Sequence, residues 1–178
     1  MPSEDDIGSG RASGVACQTA RVDSAIAARL RDLNLDLPVP MAPAGNYVPA
    51  VAVGDLLFLS GTGPVRADGS LVTGKIGPGG ALDLAAAREA ARLTGLQILA
   101  TLAAELGDLG RVRRVVKLFG MVNCAPGFNN TPAVIDGCSD LLVAVFGESG
   151  RGARCAVGMA ELPVDIAVEI DAIVQVAR

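Results

Sequence analysis

Residues 166–176, IAVEIDAIVQV, alternate with a period of two. Ile166, Val168, Ile170, Ala172, Val174 and Val176 fall on one side of an extended chain, and Ala167, Glu169, Asp171, Ile173 and Gln175 on the other. A helix, with its period of 3.6, would mix these two sets, so the segment is a strand. One face is wholly apolar and must be buried in a sheet. The other mixes carboxylates with small residues, which suits a solvated face or equally the wall of a cleft. A second strand, Ala153 to Leu162, precedes it across Pro163-Val164-Asp165. Its Arg154 reads as an ordinary charge on an edge strand, or as a partner for Glu169.

The rest of the chain supplies companions for these strands. Residues 1–21 are rich in Gly, Ser, Asp and Glu without periodicity and read as a flexible tail. Residues 22–42 hold a short amphipathic helix with Val22, Ile26, Leu30 and Leu33 on one face, Asp23 or Ser24 as its cap, and then a linker carrying Pro38 and Pro40. The main domain spans 43–178. It opens with YVPAVAVGDLLFLSG, a hairpin turning at Gly54-Asp55. Turns at Asp68-Gly69 and the following Gly/Pro cluster, with a short strand at Leu71-Val72, lead to a long alanine-rich helix from Leu82 to Leu106 stopped by Gly107. VRRVVKLFGMVNC is a β-branched strand, and Pro132 starts a second helix. The order ββαβαββ calls for an α+β domain, a mixed sheet with two helices packed on one face. The other face would be an exposed apolar patch, and self-association is the simple way to cover it.

Composition removes several functions. The chain has 178 residues, no histidine and a net charge of −4. Without imidazole, Ser-His and Cys-His nucleophiles and the common zinc sites are unavailable. The acidic balance disfavours nucleic acid as a partner. No stretch reaches the roughly 18 apolar residues of a membrane span, and the polar start MPSEDDIGSG lacks the features of a signal peptide, so a cytoplasmic location is expected. Cys17, Cys124, Cys138 and Cys155 lack the paired spacing of a metal site and are expected to be reduced.

A site built from Arg154 and Glu169 on neighbouring strands needs no histidine. The guanidinium would clamp an anion in bidentate fashion, and the carboxylate would orient or deprotonate water. GNYVPAVAVGDLLFLSG and ARCAVGMAELPVDIAVEIDAIV, over roughly Pro43 to Val176, resemble the reactive-intermediate deaminase family, also called RidA or YjgF-type and often labelled endoribonuclease L-PSP. The specific part is Ala-Arg-small residue, then Leu-Pro-x-Asp, then Val-Glu-Ile-x-Ala-Ile, with unbroken spacing from Arg154 to Glu169.

The resemblance implies a chorismate-mutase-like fold assembled as a homotrimer, with small carboxylic acids bound in clefts between subunits. It implies hydrolysis of enamines and imines such as 2-aminoacrylate to a 2-keto acid and ammonia, with no metal and no cofactor. Arg154 would hold the substrate carboxylate and Glu169 would position the attacking water. Tyr47 would line the cleft, Ser60 and Gly61 match the family's Ser-Gly, and Ala156 would contribute its backbone. Cys155 stands where serine is expected and Ser139 where the family has asparagine; GNYVPA, SGTGP and the long connection NCAPGFNNTPAVIDGCS also depart from the usual pattern. These differences resemble a longer, divergent branch. The same clamp would equally serve a non-catalytic module that senses a 2-keto acid. Ribonuclease action, which the family label suggests, fits poorly with the acidic charge and the missing histidine.

Overall fold

A computed structural model of the chain describes residues 25–177; the tail, Cys17 and the proposed cap at Asp23 or Ser24 lie outside them. The first helix, α1, spans Ala25–Asp32. Ile26 and Leu30 pack against the core as their spacing predicts, whereas Leu33 lies past the helix end and is exposed. An extended linker follows. Leu35 and Leu37 press its start onto the core, and the Met41 amide donates to Gln97 Oε1 at 3.0 Å.

The hairpin forms from β1 (Ala50–Val53) and β2 (Leu56–Thr62). Gly54 supplies the positive φ, +64°, that a two-residue turn demands. The expected strand at Leu71-Val72 is reduced to isolated bridges, Val65 with Leu71 and Thr73 with Ile166. The long helix α2 (Leu84–Leu106) starts at Asp83, whose carboxylate accepts from the Ala86 amide at 2.8 Å, and stops at Gly107 in the left-handed region. Then come β3 (Val112–Asn123), α3 (Thr131–Phe146, with Pro132 in its first turn), β4 (Ala153–Met159) and β5 (Val168–Val176).

The five strands form one mixed sheet in the order β1-β2-β5-β3-β4, antiparallel except for the β3–β4 pair. The expected α+β architecture is therefore present, with α2 and α3 on one face. The core between layers is aliphatic: Leu57 and Leu59 of β2, Leu118 and Val122 of β3, Ile170 and Val174 of β5, Ile98 and Leu102 of α2, Ile135 and Leu142 of α3. Each fully buried Leu or Ile contributes about 1.5–3 kcal/mol. The face away from the helices carries Val51, Phe58 and Ile173 in one row that Lys117 continues on β3, with Phe119 opposite Asp171 and Met121 opposite Glu169; Val51 and Phe58 are 52% and 40% exposed.

The turn before β5 is held by a buried polar knot. Asn123, fully buried at the end of β3, donates to Asp165 Oδ1 (2.8 Å) and Ile166 O (3.2 Å), and accepts from Lys75 Nζ (2.9 Å). Val164 and Asp165 both have positive φ, 48° and 58°. That backbone is costly for a β-branched residue, and the Asn123 bonds help hold it.

The two helices approach through glycine. A Cβ built at Gly137 would fall on the backbone carbonyl of Arg88 across the interface. Gly137→Ala gains helix propensity, about 1 kcal/mol, but forces α2 and α3 apart. The expected net result is a destabilisation of about 1–3 kcal/mol, read as a lower urea midpoint at unchanged slope.

Candidate functional site

Pairing decides which side chains meet. Leu118 lies opposite both Arg154 on β4 and Ala172 on β5, so Arg154 points to the helix-covered face. Met121 lies opposite Glu169, and with no register irregularity between Leu118 and Met121 it points to the open face. The expectation of a site on neighbouring strands is thus corrected twice. The third strand β3 lies between β4 and β5, and Arg154 and Glu169 stand on opposite faces. Within one chain they cannot close on one ligand.

Each has surroundings of its own. The Glu169 side chain on β5 reaches a bulge in β2, where Ser60 and Gly61 fill the register shift between Leu59 and Thr62. A Cβ at Gly61 would collide with the Glu169 carboxylate, so only glycine lets that carboxylate lie there. Tyr47, Ser60 and Gly61 line one narrow cleft with Pro49, Thr62 and Thr101. Ser60 Oγ donates to Val48 O at 2.7 Å and its amide donates to Pro49 O at 2.9 Å, fixing the loop that carries Tyr47. The Tyr47 hydroxyl accepts from the Ala44 amide at 3.1 Å. The structure therefore gathers Tyr47, Ser60 and Gly61 in one cleft and sets the Glu169 carboxylate against Gly61, while Glu169 is not among the residues lining that cleft. Burial first, and the neighbouring Asp171 second, push the Glu169 carboxyl above its ordinary range; burial likewise raises Asp171, against the pull of Lys117.

Arg154 and Ala156 belong to the other set. Arg154 Nη1 donates to Asp136 Oδ1 at 2.7 Å and to Ser139 Oγ at 3.0 Å, both on α3. Beside this guanidinium lies a cavity of about 220 Å³ that Asp136, Ser139, Asp140 and Arg151 also line. The Ala156 carbonyl accepts from Thr131 Oγ1 at 3.0 Å, so its oxygen is already engaged. Cys155 is exposed on the open face opposite Phe119. Cys138 is fully buried, which pushes its thiol up to about 12. Cys124, Cys138 and Cys155 are all unpaired.

Asp136 escaped the sequence reading. It lies one helical turn before Ser139, so the two share a face of α3, but nothing local says that this face meets β4.

Residues 27–171 match the family model described as "YjgF/chorismate mutase-like, putative endoribonuclease". Protein TCP17 of Trypanosoma cruzi is 46% identical over 151 residues, 84% of this chain and 93% of that protein. The crystal structure of protein Atu1372 from Agrobacterium tumefaciens is 46% identical, covers 85% of this chain and 92% of its own, and superposes with a TM-score of 0.77. That of RidA from an Antarctic Psychrobacter is 26% identical, covers 78% and 94%, and has a TM-score of 0.55. Among the described residues, no helix is long and apolar enough to cross a membrane.

The raised carboxyls set a direction with pH. A folded-state pKa above the unfolded one means that the folded chain holds the extra proton, so stability falls as pH rises through the carboxylate range and then levels off. The double variant Glu169→Gln, Asp171→Asn is expected to flatten that fall, measured by urea unfolding across a pH series.

Proposed function

The chain belongs to the YjgF/RidA family, and on that premise we propose that it hydrolyses reactive enamines or imines of small 2-amino acids to a 2-keto acid and ammonia, at a cleft shared between two copies in a homotrimer. The observation that carries the reading is the placement of the two half-sites on opposite faces of one sheet. Arg154 has its cavity on the helix side, while Glu169 stands on the open face against Gly61, which also lines the cleft of Ser60 and Tyr47. A symmetric assembly in which the open face of one copy meets the β4 edge of the next unites them. The apolar side chains of the open face, led by Val51 and Phe58, give such an assembly its driving force.

The chemistry then follows from the side chains. Arg154 binds the substrate carboxylate through the nitrogens that α3 leaves unused. An enamine such as 2-aminoacrylate gains a proton at its terminal carbon and loses one from nitrogen, becoming the imine. Water adds to the C=N carbon, and Glu169 accepts a proton from that water. The resulting carbinolamine expels ammonia as its nitrogen takes up a proton, leaving the keto acid. Each turnover consumes one water and releases one ammonia. A carboxyl raised by burial is better matched to giving and taking protons near neutrality than an exposed one. No step calls on a metal or cofactor.

One observation favours a second reading, a binding module for small carboxylates: the charge of Arg154 is already offset by Asp136. The two readings separate in one assay. With 2-aminoacrylate generated in situ, wild type is expected to accelerate keto-acid formation, Arg154→Ala to abolish the acceleration, and Glu169→Gln to reduce it by about 10²-fold or more, the usual scale of a general acid–base group. Saturable keto-acid binding with no turnover by the folded wild type would establish the binding module instead.

A further inference from the structure

The Arg154 head is pinned from one side only. Asp136 and Ser139 take both hydrogens of Nη1, while Nε and Nη2 make no hydrogen bond with any described residue. Those two nitrogens form an edge that suits a bidentate carboxylate. Asp136 Oδ2 is likewise without a hydrogen bond from the described residues. The charged groups lining the cavity cancel, two carboxylates (Asp136, Asp140) against two guanidiniums (Arg151, Arg154). At about 220 Å³ the cavity has room for about seven water-sized groups, a small ligand only.

We propose that Asp136 determines the ligand class of this cavity, selecting a small zwitterion with one carboxylate and one protonated nitrogen over a simple anion or a dianion. The inference rests on the reading of Arg154 given above and deepens it. A carboxylate seated on the free edge of Arg154 lies across the same planar group from Asp136, so two negative charges share one positive charge. A protonated nitrogen on the ligand restores the balance, and Asp136 Oδ2 is placed to accept its hydrogen. A dianion adds a second negative charge to a lining that already holds two. An imino acid protonated on nitrogen meets the requirement, and protonation also makes its carbon more open to attack by water. Asp136 therefore favours the reactive form of the substrate while acting through binding and positioning.

The test is equilibrium binding by titration calorimetry with L-alanine, pyruvate and malonate, the first two nearly equal in size and differing in the cationic nitrogen. Wild type is expected to bind alanine about tenfold more tightly than pyruvate, with malonate weakest. Asp136→Asn keeps an acceptor for Arg154 but loses the charge, and should reverse the order, with pyruvate gaining and alanine losing about tenfold. Asp136→Glu, which restores the charge, should keep the wild-type order, and thermal melting checks that both variants fold. An unchanged order in Asp136→Asn, or no saturable alanine binding by wild type, overturns the inference. Arg154→Ala separates it from the reading beneath. If that variant loses all three ligands while Asp136→Asn changes nothing, only the role of Asp136 falls; if it binds all three as wild type does, the assignment of Arg154 falls too.

Discussion

The register of β5 is the constraint on which the rest depends. Its alternate side chains, Val168, Ile170, Ala172 and Val174, are buried under the helices while it pairs with both β2 and β3. A slip of one residue would put Glu169 and Asp171 into the aliphatic core and Ile170 outside, at the cost of burying unpaired carboxylates. The Asn123–Asp165 bond and the turn at Val164-Asp165 hold the start of the strand, so the register is set from its first residue as well as by its apolar face. The side of the sheet on which Glu169 stands is thereby a consequence of packing.

From that register the division of the site follows. β3 separates β4 from β5, and the covered face receives Arg154 while the open face receives Glu169. Glycine is used where backbone or carboxylate must come close: Gly137 between the helices and Gly61 beneath Glu169. The carboxylate lies on a bulge braced by the hydroxyl of Ser60, and the guanidinium is braced by two side chains of α3.

Much of this was legible in the amino-acid order, for identifiable reasons. Period-two alternation placed Glu169 opposite the apolar face of its strand, Gly107 marked the end of the long helix, and Pro132 marked the start of the next. Alternation fixes the faces within one strand, but it says nothing about how the faces of two strands correspond. That correspondence comes from the pairing with β3, which is long-range, and so Arg154 and Glu169 read as neighbours when they are back to back. The bulge at Ser60-Gly61 and the Asp136 partnership are tertiary in the same sense. The family resemblance supplied the candidate residues; their division between faces became visible only in three dimensions.

The central claim is that one functional site takes Arg154 from one copy and Glu169 from another. The most direct measurement mixes two impaired variants, Arg154→Ala and Glu169→Gln, unfolds and refolds them together, and assays the mixture for keto-acid release from 2-aminoacrylate. Random reassembly leaves about a quarter of shared sites with both residues intact, so the mixture is predicted to recover about a quarter of wild-type activity. A mixture as inactive as its two components, despite verified co-assembly, would contradict the shared site.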